Sequence, residues 1–330
     1  MGETANIALM AKKVSDDIFG EFGWSRKGPI DTDWNCTTPE KHACQTHPSD
    51  VVQWYEAPYE DSKVFLNIDL KSYAVGSLKK AKVRGAITSL CKATDCANVS
   101  GEWRKHYGDD KSNYRCHGLL FVYNHDGEYD GDFEKLFVGM EFKELPLSNN
   151  NRVFVFSPDT VNYLANVAID IRGSRGRAVP ALPSIGKYGF YYPDLIGLHP
   201  KSQNQQAASI EVLLSPWQII RYNDTDSTDE ERIVRYIVYY RGKGESVDEF
   251  KYLFDAFFRF QMLGDDERIL VKMPFADKDA HSHFQSAKDA YVADFYGLKE
   301  FRTRLNRIEF EPVTNIVKKF SEIHLGFENE

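Results

Sequence analysis

Apolar residues recur at helical spacing through residues 6–22. Ile7, Met10, Val14, Ile18 and Phe22 fall on one face, which predicts a helix that Gly23 stops. Residues 25–47 carry no such period and read as an irregular loop. Residues 50–56 and 63–72 then read as two strands of a hairpin, joined by Ala57-Pro58-Tyr59-Glu60-Asp61-Ser62, and a lysine-rich helix is expected over roughly residues 77–93. The apolar runs 117–124 and 152–156 predict buried strands. Ser157-Pro158-Asp159 opens a helix to about Ile171, with proline in the first turn, where the N–H is unpaired anyway. Residues 172–189, rich in Gly, Pro and Arg, read as a boundary or a functional loop.

The C-terminal part has a different rhythm. Residues 233–241 predict a strand. Ser246-Val247-Asp248-Glu249 matches a capping box, and Phe250, Leu253, Phe254, Phe257 and Phe258 follow on one helical face before Gly264. A strand over 269–273, a helix over 280–296 ended by Gly297, and a strand over 307–311 complete a β-α-β-α-β order, which suggests a compact α/β unit. The expected architecture is therefore α/β in two parts, residues 1–175 and a C-terminal α/β domain over 176–330.

Candidate chemistry sits on the second hairpin strand. Val64, Leu66, Ile68 and Leu70 face one side and Phe65, Asn67, Asp69 and Lys71 the other. The aliphatic side must pack on a core, and the other delivers a carboxylate and an ammonium pointing the same way. If the turn is centred between Tyr59 and Glu60, paired residue numbers sum to 119 and Asp50 lies opposite Asp69. Two like charges so opposed, about 5 Å apart, destabilise a sheet unless a cation sits between them. Mg²⁺, a hard ion that favours carboxylate oxygens and keeps several waters, suits the place. It lowers the pKa of a bound water, which Lys71 could orient.

Composition narrows the field. The 330 residues are 42% hydrophobic and 27% charged, with no apolar run long enough to span a membrane and no apolar signal region at the start. The five cysteines, an odd and sparse set, suggest reduced thiols in the cytoplasm. A net charge of -8 excludes nucleic-acid binding through the whole surface, so such contact must be local or shared with a partner subunit or a second copy in a homo-oligomer. One segment answers: residues 77–106 hold Lys79, Lys80, Lys82, Arg84, Lys92, Arg104 and Lys105 against Asp95 and Glu102.

His47-Pro48-Ser49-Asp50 followed by Asp69-Leu70-Lys71, inside a helix–hairpin–helix order, resembles the PD-(D/E)XK nuclease superfamily over residues 6–171. Ser49 is a departure, standing between Pro48 and the acidic residue. The resemblance implies a restriction-endonuclease-like mixed sheet flanked by helices and Mg²⁺-dependent phosphodiester hydrolysis, with Mn²⁺ able to substitute. Asp50, Asp69 and the Leu70 backbone carbonyl would bind metal and Lys71 would act at the attacking water. Many members add a first-helix glutamate, for which Glu21 is the nearest candidate here and Asp17 the second. It also points to DNA as substrate and to prokaryotic restriction or anti-phage defence. A catalytically inactive nucleic-acid-binding or scaffold subunit is the alternative.

Other clusters carry less. Cys36, His42, Cys44 and His47 match no common zinc-finger spacing and read as a polar loop with two free thiols. Asp126, Glu128, Asp130 and Asp132 lack the glutamate an EF-hand needs, since Phe137 stands there, and read as a solvated turn. Arg172, Arg175, Arg177 and Lys187 form a basic loop that suits phosphate.

Overall fold

The computed structural model describes residues 2–108, 114–148, 150–175, 182–224, 233–294 and 299–319. It divides into two compact units. One comprises Met1–Ala57, Asp61–Ala165 and the segment from Val317, the other Pro58–Glu60 and Asn166–Ile316. No helix among the described residues is long and apolar enough to cross a membrane.

In the first unit α1 (Gly2–Glu21) ends where Gly23 turns the chain at φ +77°, a conformation that costs a Cβ-bearing residue. Then follow β1 (Ser25–Arg26), β2 (Thr32–Asn35), α2 (Pro39–His42), β3 (Thr46–Ser49), β4 (Val51–Glu56), β5 (Lys63–Tyr73), α3 (Lys80–Ala97), α4 (Gly101–Tyr107), β6 (Tyr114–Asn124) and β7 (Val153–Phe156). Five strands form one sheet in the order β1-β4-β5-β6-β7, antiparallel from β1 to β5 and parallel from β5 to β7. The parallel step needs a crossover, and α3 supplies it. Its Val83, Ile87 and Leu90 pack with Leu120 and Val122 of β6. Phe19 of α1 meets the opposite sheet face, edge-on to Phe121 with centroids 5.8 Å apart. This is the expected mixed sheet flanked by helices.

Two expectations for this unit need correction. Residues 25–47 are not irregular: they hold β1, β2 and α2, and β2 pairs with β3 in a separate two-stranded ribbon. Elements of two to four residues are too short to show a period. The second correction concerns the polar face of β5, which is covered over its first half. Phe65 packs among Trp54, Trp103 and Tyr114, and Asn67, 1% exposed, accepts a hydrogen bond from Ser49. That face opens only from Asp69 onward.

The chain continues through α5 (Pro158–Ser174) into the second unit, with β8 (Tyr188–Tyr191), β9 (Asn204–Gln205), α6 (Ile210–Leu214), β10 (Trp217–Asn223), β11 (Val234–Tyr240), α7 (Val247–Arg259), β12 (Glu267–Met273), α8 (Ala280–Asp294), α9 (Lys299–Asn306) and β13 (Ile308–Pro312). Six strands lie in the order β13-β12-β11-β10-β8-β9, the first three parallel, in keeping with the β-α-β-α-β reading. Ser246 caps α7 by accepting the Glu249 N–H at 3.2 Å. Glu249 reaches further back than a capping box requires, to the amides of Gly244 and Glu245. Phe250, Leu253, Phe254 and Phe257 are buried, but Phe258 is 53% exposed and leaves the stripe. The expected stop of α8 at Tyr296 and Gly297 lies outside the described residues. A charged group sits deep in this unit: Lys272 meets Asp170, which also accepts the Tyr239 hydroxyl at 2.7 Å.

Candidate active site

Two backbone facts bring the acidic pair together. The hairpin register runs from Glu56↔Lys63 to Val51↔Ile68, so paired numbers sum to 119 as expected. One step further, Asp50 stands opposite Asp69 just past the end of the ladder. There the Leu70 N–H, with no strand partner on that edge, donates to Asp50 Oδ2 at 2.7 Å. In a strand the N–H and C=O of one residue leave on the same edge, so the Leu70 carbonyl is directed toward Asp50 as well.

Asp69 and Lys71 project from the face that α3 covers, since they stand in register with Leu120 and Val122. They form an ion pair, with side chains 17% and 35% exposed. Burial, and then the Asp69 charge, push Asp50 up to about 6. Burial pulls Lys71 downward, but Asp69 and Asp50 outweigh it and hold its ammonium above the usual range, hence charged. The Lys71 ammonium lowers Asp50 by less than burial and the Asp69 charge raise it. Two carboxylates meet at that spot, with the Leu70 carbonyl leaving the strand on the same edge, and such hard oxygen donors fit a divalent cation of the Mg²⁺ type.

Ser49, the departure from the motif, has a structural task. It is fully buried, accepts the Trp34 Nε1–H at 3.0 Å and donates to Asn67 Oδ1 at 2.5 Å. It thereby fixes the β3–β4 junction against β5, one residue before Asp50.

The other sequence candidates scatter. Glu21 is half-buried in the last turn of α1, the helix packed on the other face of the sheet, so this geometry does not by itself bring it to the acidic pair. Asp17 pairs with Lys13 one turn back, at 3.4 Å. Lys79, Lys80, Lys82 and Arg84 are all exposed on the first turns of α3, which begins three residues later than expected. They divide by partner. Lys80 donates to the Val138 carbonyl and Arg84 lies 3.9 Å from Glu144, whereas the Lys82 ammonium stands 5.8 Å above the Tyr73 ring. Arg175 donates to the Tyr188 hydroxyl at 2.9 Å within the second unit, and Arg177 lies outside the described residues. Asp126 accepts the amides of Val75 and Glu128, and Asp132 caps a short 3-10 turn, so that stretch is a turn held by its own carboxylates.

Tyr73 was missed. It continues the strand face of Asp69 and Lys71 by one more step of two. Burial raises its phenol, Lys71 opposes the rise and Asp69 adds to it. The same alternation that picked out Asp69 and Lys71 reaches it. Asp69, Lys71, Tyr73 and Lys82 thus form a continuous polar track from the acidic pair to the basic helix.

Residues 1–160 match the family described as GAPS4 protein PD-(D/E)XK nuclease domain. Neither the curated proteins nor the solved structures give a match to the chain.

Proposed function

We propose, from the match of residues 1–160 to the PD-(D/E)XK nuclease domain family, that the protein hydrolyses phosphodiester bonds in DNA. In this reading Asp50, Asp69 and the Leu70 carbonyl hold Mg²⁺, or Mn²⁺ in its place. The observation that carries it is the opposition of Asp50 and Asp69 beside Lys71 at the open end of β5. When bound, the cation supplies Lewis acidity, acidifying a water and offsetting phosphate charge. The chain's own groups do the rest. The Leu70 N–H fixes the Asp50 carboxylate. Asp69 holds the Lys71 ammonium at the mouth of the site, where it can orient an attacking water and donate to the charge that develops on phosphorus-bound oxygen.

The reaction class is tested by incubating the purified protein with plasmid, linear DNA and RNA, with Mg²⁺, Mn²⁺ or a chelator. DNA should be cut only with the metal, and Lys71→Ala should lose about a thousandfold or more of the rate while folding normally. Full activity in that variant removes Lys71 from the mechanism. Binding without cleavage under every condition supports the inactive scaffold instead.

Substrate grip follows from the polar track. Lys82 lies over the Tyr73 ring and Lys79, the exposed N-cap residue of α3, precedes it by three, while Lys80 and Arg84 are engaged by Val138 and Glu144. Reversing Lys79 and Lys82 together should lower the salt slope of DNA binding by about two, with sequence preference unchanged. Reversing Lys80 and Arg84 should do less. Equal effects from the two pairs in a salt titration would contradict this orientation. An acidic chain with one basic helix favours a partner subunit or a second copy for the remaining phosphate contacts, and a place in prokaryotic restriction or anti-phage defence in the cytoplasm.

A further inference from the structure

A second constellation lies elsewhere in the same unit, on elements that the hydrolytic reading does not use. Cys36 follows β2, His42 ends α2, His47 stands in β3 and Cys96 comes from the last turn of α3. All four side chains are buried, and one ligand-type atom from each lies within 4.8 Å of the others. Cys36 Sγ and Cys96 Sγ are 3.7 Å apart although sixty residues separate them in sequence, and each is 3.4 Å from His42 Nδ1. Both cysteines are free thiols.

The three distances among Cys36, Cys96 and His42 are close to the edges of a tetrahedral metal site. With Zn–S bonds of about 2.3 Å and Zn–N bonds of about 2.05 Å, tetrahedral edges are about 3.8 Å between sulfurs and about 3.6 Å from sulfur to nitrogen. A core contact among two thiols and two imidazoles accounts for the set less well. His42 is buried and turns Nδ1 toward both sulfurs, with the Thr38 hydroxyl 3.4 Å from the same nitrogen. His47 is held by ring contacts, tilted against Trp34 at 5.0 Å and edge-on to His42 at 5.6 Å. Thr37 donates its hydroxyl to Cys96 Sγ at 3.1 Å, the kind of outer hydrogen bond that steadies a thiolate ligand.

We propose that Cys36, His42, His47 and Cys96 bind one Zn²⁺ as a structural site. Two sulfurs and two imidazole nitrogens in a closed tetrahedral set select zinc over the hard cations that suit Asp50 and Asp69. Two thiolates neutralise the ion, so the completed site is electrically neutral and suits a buried position. Cys44 is not a ligand: it is half-buried and stands 3.8 and 4.0 Å from the two nitrogens of His47, beside the tetrahedron. Zinc would join the β2–β3 ribbon, α2 and the C-terminal end of α3 at one point. His47 lies three residues before Asp50, so the site would also position the strand junction that delivers the first acidic residue.

The test is metal content. Wild-type protein, purified without chelator and dialysed against metal-free buffer, should retain one zinc per chain by mass spectrometry. Cys36→Ser and Cys96→Ser should lose it, while Cys44→Ser and Asp69→Asn keep it. The last comparison separates this site from the catalytic one, and zinc content is independent of whether the protein cuts DNA. If the serine variants fail to fold, X-ray absorption at the zinc edge of wild-type protein still decides, with two sulfurs and two nitrogens expected around the metal. Folded wild-type protein without zinc, a disulfide joining Cys36 to Cys96, a shell lacking two sulfurs, or zinc lost from Cys44→Ser but kept in Cys96→Ser would each overturn the assignment.

Discussion

Asp50→Asn is expected to abolish metal-dependent cleavage and, at the same time, to make the metal-free protein more stable at pH 7.5. The first effect follows from removing one of three oxygen ligands of the proposed cation. The second follows from the carboxyl being held up to about 6 by burial and by the Asp69 charge. An acid whose folded pKa lies above its unfolded value favours the fold below the unfolded value, about 4. That contribution is lost as pH rises through about 6. At pH 7.5 the ionised carboxylate therefore works against folding, by on the order of 1–3 kcal/mol. Asparagine keeps the acceptor for the Leu70 N–H and discards the charge. Its melting temperature without metal should exceed the wild type's by a few degrees at pH 7.5, by about 2–4 °C for each kcal/mol. The gap should close by about pH 4. Mg²⁺ should raise the melting temperature of the wild type and not of the variant. Melting curves at several pH values, with and without Mg²⁺, test all three statements. A variant less stable at pH 7.5, or one that still cleaves, contradicts this account of the acidic pair.

The largest stability effect is expected in the second unit, at Asp170. Lys272 is 2% exposed and Asp170 5%, and a second carboxylate, Glu311, stands 3.9 Å from the ammonium and is 37% exposed. Truncation to alanine strands a buried ammonium and also removes the acceptor for Tyr239. Breaking such a pair from one side costs about 3–5 kcal/mol, because the remaining charge keeps its desolvation penalty. The double variant Asp170→Leu with Lys272→Met should recover most of that loss, since a well-packed apolar pair can replace a buried ion pair with little change in stability. Denaturant melts of the single and double variants measure both. A single variant within 1 kcal/mol of wild type would show that water reaches the lysine.

The long elements were legible because each has a period or a boundary residue of its own. Gly23 marks the end of α1, Pro158 the start of α5, and Ser246 the cap of α7. The hairpin register was legible too, because Asp50 and Asp69 make physical sense together only in one alignment. What escaped has three physical sources. The ribbon of β2 and β3 is too short for periodicity, so Trp34 and His47 gave no pattern. The cover over Phe65 and Asn67 comes from segments distant in sequence, which strand alternation does not register. The cysteine–histidine cluster escaped because its fourth member comes from α3, while Cys44, closer in sequence, occupied its place in the spacing argument. The partners that divide Lys80 and Arg84 from Lys82 are likewise tertiary, a carbonyl at Val138, a carboxylate at Glu144 and a ring at Tyr73.

β5 is buried on both faces through Ile68 and opens only at Asp69. The residues that specify the fold and those that carry the proposed chemistry are therefore separate stretches of one strand. Selection can act on them independently. A lineage that lost Asp69 and Lys71 would keep Phe65, Leu66, Asn67 and Ile68, and with them its folded scaffold. Descent from a cutting protein to a purely binding one is short by this route, two substitutions at the open end of a strand whose buried half stays as it was.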